Sequence, residues 1–163
     1  MLAIFILLNS YPLNTAVMIH FNVRKAQLND VMHFQEAISM HLNKPWNVME
    51  FDEFYKKKLK DKEYTFLMME DDDKKIAGGV IVQYRQTFLD KFAFIEIQDL
   101  FVTPKYRKLN AAEYLYQAIE KLAVEKKVFK LQVGCYINST LNQNFYTKHG
   151  FKVHKKSYVK EVY

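Results

Sequence analysis

Residues 99–115, Asp-Leu-Phe-Val-Thr-Pro-Lys-Tyr-Arg-Lys-Leu-Asn-Ala-Ala-Glu-Tyr-Leu, constrain the fold more than any other stretch of the chain. They pass from an apolar run, through a proline and a basic turn without glycine, into a helical pattern. Proline cannot donate to a sheet ladder, so Pro104 ends the strand. Ala111, Leu115, Ala118, Ile119 and Leu122 then recur at helical spacing, which predicts a helix over about 110–126. The next apolar run, 128–136, reads as a strand. A strand, a helix and a strand in succession imply a locally parallel pair joined by a crossover. The turn between the first strand and the helix is also where unpaired amides and the helix dipole favour an anion.

The remaining elements extend this unit on both sides. Residues 19–24 alternate apolar and polar, which predicts a first strand. Asn29 or Asp30 caps a helix running to about residue 42, with Val31, Phe34, Ala37 and Ile38 on one face. Asn43-Lys-Pro-Trp-Asn47 breaks that pattern before a second helix over 48–59. Strands at 64–69 and 76–84 flank Asp71-Asp-Asp-Lys-Lys75, which reads as a solvated turn. A long strand covers 92–102, a short helix 140–148 ends with Gly150 in the C-cap role, and a final strand begins at 151. The order is β-α-α-β-β-β-α-β-α-β, an α+β fold with one domain and a mixed central β-sheet flanked by helices.

Composition narrows the function classes. The 163 residues suit one domain, and 50% of them are hydrophobic, which excludes disorder. The net charge of +6 suggests an anionic partner. The lysines are spread through every element with no aromatic–basic recognition motif, so no nucleic-acid partner is expected. The single cysteine, Cys135, excludes an intramolecular disulfide and fits a reducing, cytoplasmic setting. The five histidines show no ligand spacing, so no metal is expected. Residues 2–8 are apolar but too short to span a bilayer, and no Lys or Arg precedes Arg24 to form a signal peptide. No membrane partner is expected. Residues 1–17 read as an N-terminal extension upstream of a natural start at Met18, leaving 18–163 as the domain.

Two motifs carry a family resemblance. The first is a strand ending Asp-Leu-Phe-Val, followed by Pro-x-Tyr-Arg and a small-residue turn into a long helix. The second, about forty residues later, is Phe145-Tyr-Thr-Lys-His-Gly-Phe151, and the strand segment Ala77-Gly-Gly-Val80 accompanies them. With these motifs in this order the chain, from Met18 onward, resembles the GNAT superfamily of N-acetyltransferases. The resemblance implies acetyl-CoA as cosubstrate, no metal, and direct acetyl transfer to a primary amine of a small molecule or peptide. A non-catalytic CoA-binding regulator of the same fold is the alternative, and a homodimer is compatible with either.

The resemblance also assigns residues. It implies a pyrophosphate-binding turn over Arg107, Lys108, Leu109, Asn110, Ala111 and Ala112, acting through backbone N–H groups. Family members have glycine where this chain has Asn110, and commonly where it has Lys108. Asparagine is the next most tolerant residue of a left-handed backbone, so the turn can still form. The main chain of Phe101 and Val102 is implied in pairing with the pantetheine arm. Tyr146 matches the tyrosine that serves the departing thiolate, and a phenol pKa near 10 keeps it protonated. Asn138 or Ser139 lies near a family asparagine at the start of the late helix; Asn138, one residue out of register, is read as an N-cap that also touches the cofactor.

Acceptor-side roles are more open. By the period of two, Glu96, Gln98, Leu100 and Val102 share one strand face, with Asp99 on the other and read as structural. Glu96 resembles the glutamate of the histone-acetyltransferase branch and is the candidate base, directly or through water. A solvated strand carboxylate is the other reading. Gln98 stands where polyamine-acetylating relatives often have glutamate. Trp46, in the loop that roofs the acceptor pocket in the family, forms either an apolar or cation–π wall or a packing contact. Polyamine, aminoglycoside, free amino acid and peptide amine all remain as acceptors. A covalent acetyl-Cys135 is rejected, because the family transfers directly and lone strand cysteines are usually core residues.

Overall fold

The computed structural model describes residues 19–42, 46–88, 90–155, 157–160 and 162; the expected extension at 1–17 lies outside them. Five strands form one sheet in chain order: β1 (Asn22–Lys25), β2 (Tyr64–Glu70), β3 (Ile76–Arg85), β4 (Phe94–Val102) and β5 (Leu131–Val133). β1 to β4 pair antiparallel, and β4 pairs with β5 in parallel, as the crossover requires. The helices are α1 (Val31–Leu42), α2 (Val48–Leu59), α3 (Ala111–Glu125) and α4 (Thr140–Lys148). Among the described residues, no helix is long and apolar enough to cross a membrane.

Both faces of the sheet are covered, and the period of two decides which side chain goes where. Leu67, Met69, Val80, Val82, Ile95 and Ile97 meet Leu115, Ile119 and Leu122 of α3 in one core. Phe66, Met68 and Ile81 meet Phe34, Phe51 and Tyr55 of α1 and α2 in the other. The glycine pair of β3 allows β4 to approach closely. A Cβ on Gly78 would stand 2.5 Å from the Phe101 carbonyl, and one on Gly79 would stand 2.8 Å from the Phe101 ring.

Polar ties hold the layers in register. Arg24 donates to Glu70 from Nε at 2.8 Å and to both Asp30 oxygens at 2.7 and 2.9 Å, joining β1 and β2 to the entry of α1. Asp30 also accepts the Gln27 N–H at 2.7 Å, closing a 3-10 turn over Leu28–Asp30 that precedes α1. Asp71 departs from the expected solvated turn, for it is buried. Its carboxylate accepts from the Tyr106 hydroxyl at 2.6 Å and from the N–H groups of Asp73 and Lys75. The Tyr106 bond, then those amides, hold the Asp71 carboxyl below the usual carboxylate range.

Three further expectations change. β5 is shorter than 128–136, because β4 departs from it after Ile97. None of the described residues after Gly150 joins the sheet. Val153, Tyr158, Val159 and Val162 there are exposed, with no face to bury them. The third change concerns faces. Val82 pairs with Ile97 but Ile81 pairs with Asp99, so Gln98 is an extra residue in β4. This bulge reverses the alternation. Leu100 and Val102 pack on the α3 side, whereas Asp99, opposite Ile81, shares the α1–α2 side with Glu96, which lies opposite Gln83.

Candidate active site

The β4–β5 ladder has three pairs, ending at Ile97 with Val133. β4 continues to Val102, and no strand among the described residues takes up its β5-facing edge. A slot therefore opens from Gln98 onward, with strand backbone on one wall, where an extended ligand can pair. The Phe101 side chain packs against the α1–α2 core and that of Val102 against the α3 core, which leaves their main chain to border the slot. The Val102 carbonyl is already engaged: it accepts from Arg107 Nε at 3.1 Å.

The turn beyond the slot is built to hold its shape. Thr103 donates both its N–H, at 3.0 Å, and its hydroxyl, at 2.7 Å, to the Ala77 carbonyl. Pro104–Tyr106 forms a 3-10 turn anchored below by the Tyr106–Asp71 bond. Leu109 N–H closes back on Tyr106 at 3.0 Å. Asn110 then takes φ 56° and ψ 21°, the left-handed conformation expected for it, and starts α3. The N–H groups of Ala111 and Ala112 find no protein acceptor among the described residues. Arg107, Lys108, Leu109 and Asn110 are exposed around them. Unbonded amides at a 15-residue helix N-terminus, ringed by two cations, suit a phosphate.

Tyr146 is positioned by the end of α4. Gly150 at φ 81° lets Phe151 N–H reach the Tyr146 carbonyl at 3.0 Å and Gly150 N–H reach Thr147 at 3.0 Å. This is a Schellman motif, and its usual apolar contact is present: the Phe151 and Tyr146 rings lie 5.3 Å apart. The phenol is buried, and its hydroxyl makes no hydrogen bond to protein among the described residues. Burial, and then the nearby Cys135 and Asp99, push its pKa up, so it stays protonated. Burial likewise pushes the Cys135 thiol up, which makes it a poor nucleophile.

The other expected residues lie apart from this centre or differ in role. The Glu96 carboxylate is held by three donors: Arg85, Gln98 Nε2 at 3.1 Å and Gln132 Nε2 at 3.4 Å. Trp46 is half-exposed and packs edge-on against Phe51, with ring centroids 5.7 Å apart, between α1 and α2. Asn138 is not the N-cap. Ser139 occupies that position, because α4 starts at Thr140 as the spacing predicts, and Asn138 is exposed in the preceding turn. Sequence reasoning missed Arg85 and Gln132. Arg85 was legible as a β3 residue on the face of Gln83, but its partner depended on strand register.

Comparison with known proteins agrees with this geometry. The Acetyltransferase (GNAT) family matches residues 29–151, well over half of the chain. No curated protein matches at a significant level. Among solved structures, the aminoglycoside N-acetyltransferase AAC(6')-Iy in complex with CoA superposes with TM-score 0.78 at 14% identity, covering 88% of this chain and 95% of that one. AAC(6')-Ih from Acinetobacter baumannii gives 0.75 at 14% identity, covering 88% and 99%. Glucosamine-6-phosphate N-acetyltransferase from Arabidopsis thaliana gives 0.71 at 18% identity, covering 87% and 98%. At such identities the structures speak for the fold, and the family match speaks for descent. The chain is an enzyme of the acetyltransferase (GNAT) family.

Proposed function

We propose that the protein transfers an acetyl group from acetyl-CoA directly to a primary amine of a small molecule or peptide. The observation that carries this reading is the alignment of slot, turn and phenol. The β4 edge from Gln98 to Val102 runs toward the turn that ends in the amides of Ala111 and Ala112, and Tyr146 packs in the core that takes up Leu100, Val102 and Val133 of the same two strands. In the proposed complex these amides, with Arg107 and Lys108, hold the pyrophosphate, while Phe101 and Val102 line the pantetheine arm. The amine nitrogen bonds to the thioester carbonyl carbon and the C–S bond breaks. Tyr146 gives its proton to the leaving thiolate, and the proton lost by the amine passes through water to Glu96 or to solvent. Trp46 stands on the acceptor side as wall or packing. That a structural neighbour binds CoA supports the choice of cosubstrate.

Calorimetric titration with acetyl-CoA, followed by thiol release across a panel of amines, tests the reading. Saturable binding with amine-dependent thiol release is expected. Binding without release on any amine would favour the regulator.

The turn provides a sharper prediction. Asn110→Gly should keep or tighten acetyl-CoA binding, by at most about 1 kcal/mol, because glycine reaches the left-handed region more cheaply. Asn110→Val should weaken binding, since a β-branched residue is strained there. Titrating intact acetyl-CoA beside a phosphate-free pantetheine fragment checks this: only the intact cofactor should respond to Asn110.

A further inference from the structure

We propose that the tips of the β3–β4 hairpin and the α3–β5 loop form one docking surface for an anionic lipid bilayer. Phe88 there is fully exposed, Phe92 is 60% exposed and Phe129 is 87% exposed. Single exposed apolar side chains need no explanation, but Phe92 and Phe129 meet, with ring centroids 6.4 Å apart. The backbone around them is well anchored. α3 ends in a Schellman motif: Lys127 takes φ 55°, and the N–H groups of Lys127 and Val128 reach the Val124 and Ala123 carbonyls, each at 3.0 Å. Val128 packs on the α3 core, and the Lys130 carbonyl accepts the Ile95 N–H at 3.1 Å. Phe129 is thus held outward between two fixed neighbours. The hairpin tip is fixed as well. Asp90 N–H closes on the Thr87 carbonyl at 3.1 Å, the Thr87 hydroxyl donates to the Asp90 carboxylate at 2.7 Å, and Lys130 pairs with that carboxylate.

Charge selects the occupant. Lys91, Lys126, Lys127 and Lys130 stand on these two tips, with Lys155 near enough to act on Asp90, against the acids Asp90 and Glu125. Lys91, Lys126 and Lys127 make no ion pair among the described residues, so their charge is available to a partner. Asp61 and Glu63, before β2 at the same end of the sheet, are balanced by Lys58, Lys60 and Lys62. An inserting apolar wedge and lysines against anionic headgroups are the two signals that reversible membrane attachment needs. The Phe92 and Phe129 rings cross at 71°, which is a wedge and not a flat platform for stacking nucleic-acid bases. β4 runs from Phe94 to Val102, about 30 Å at strand rise, so docking leaves the turn at Arg107–Ala112 in water. The sequence expectation of no membrane partner weighed a spanning segment and a leader. This surface exists only because β4 and β5 pair and bring Phe92 and Phe129 together.

Co-sedimentation of the full chain with phosphatidylcholine vesicles, with and without phosphatidylserine, tests the proposal. Binding is expected only with phosphatidylserine, and it should weaken as salt is raised. Phe92→Ser together with Phe129→Ser should lower the partition coefficient at least about tenfold, the worth of partly burying two rings. Lys126→Gln together with Lys127→Gln should lower it about fivefold per lysine. Absence of binding to phosphatidylserine vesicles overturns the assignment, and so does undiminished binding by the phenylalanine variant. Sedimentation velocity on the same samples covers the rival occupant. A dimer lost in the phenylalanine variant, with no vesicle binding by the wild type, gives the face to a second copy and overturns the proposal. Melting curves accompany each variant. Should the phenylalanine pair melt early, Phe88→Ser alters a fully exposed ring instead: weaker vesicle binding supports the proposal, and equal binding overturns it.

Discussion

Tyr146→Phe is expected to lower kcat by about 100-fold, the low end of what a positioned proton donor contributes. The KM for acetyl-CoA should move little, because the hydroxyl acts as the thiolate leaves rather than in the ground state. The substitution removes one oxygen and keeps the ring that packs on Phe145 and Phe151, so the fold should be undisturbed. No protein acceptor among the described residues is orphaned by it. Rates at saturating acetyl-CoA and amine, with a melting curve as control, check the expectation. A variant with wild-type kcat would leave solvent as the source of the proton. Because the phenol is held protonated well above neutrality, its deprotonation should not appear as an alkaline limb near pH 8.

The second large effect is on stability. Arg24→Ala strands two buried carboxylates, Asp30 and Glu70, and should cost about 3 kcal/mol. The low end of the range applies because the guanidinium is 28% exposed. For a domain of this size that corresponds to a Tm lower by about 10 °C. Arg24→Lys should recover only part of it, since an ammonium cannot fork across two carboxylates. The pH dependence follows from Asp30, whose pKa is lowered chiefly by the Arg24 hydrogen bond. A depressed carboxyl stabilises the fold above its unfolded value, about 3.9, and loses that contribution as the pH falls through the folded value. The Tm gap between wild type and Arg24→Ala should therefore be full at pH 7 and shrink below about pH 4. A gap constant down to pH 3 would remove Arg24 as the cause.

Much of the fold was legible because its signals are local. Helical spacing in α2 and α4 and the proline after β4 each act within a few residues, and these elements fall where the spacing puts them. The left-handed Asn110 was legible through the family resemblance, which puts a glycine at that position, and asparagine tolerates the conformation. Asp71 was misread because a polar run carries no mark of what packs over it. Its burial follows from Tyr106, thirty-five residues away. The final strand was misread because alternation in the sequence does not supply a neighbouring strand to pair with.

The candidate site divides along the same line. The basic turn, the small residues at the helix start and the tyrosine before Gly150 were legible as motifs of the family, because each is a short local pattern of residue types. Tertiary structure decided the acceptor side. One extra residue in β4, visible only in the register with β3, moves Asp99 to the face of Glu96 and opens the slot beside it. Register also brings Arg85 and Gln132 onto the Glu96 carboxylate. Period-two reasoning assumes an unbroken ladder, and a bulge breaks it at a cost set by neighbouring strands, which no single strand's sequence records.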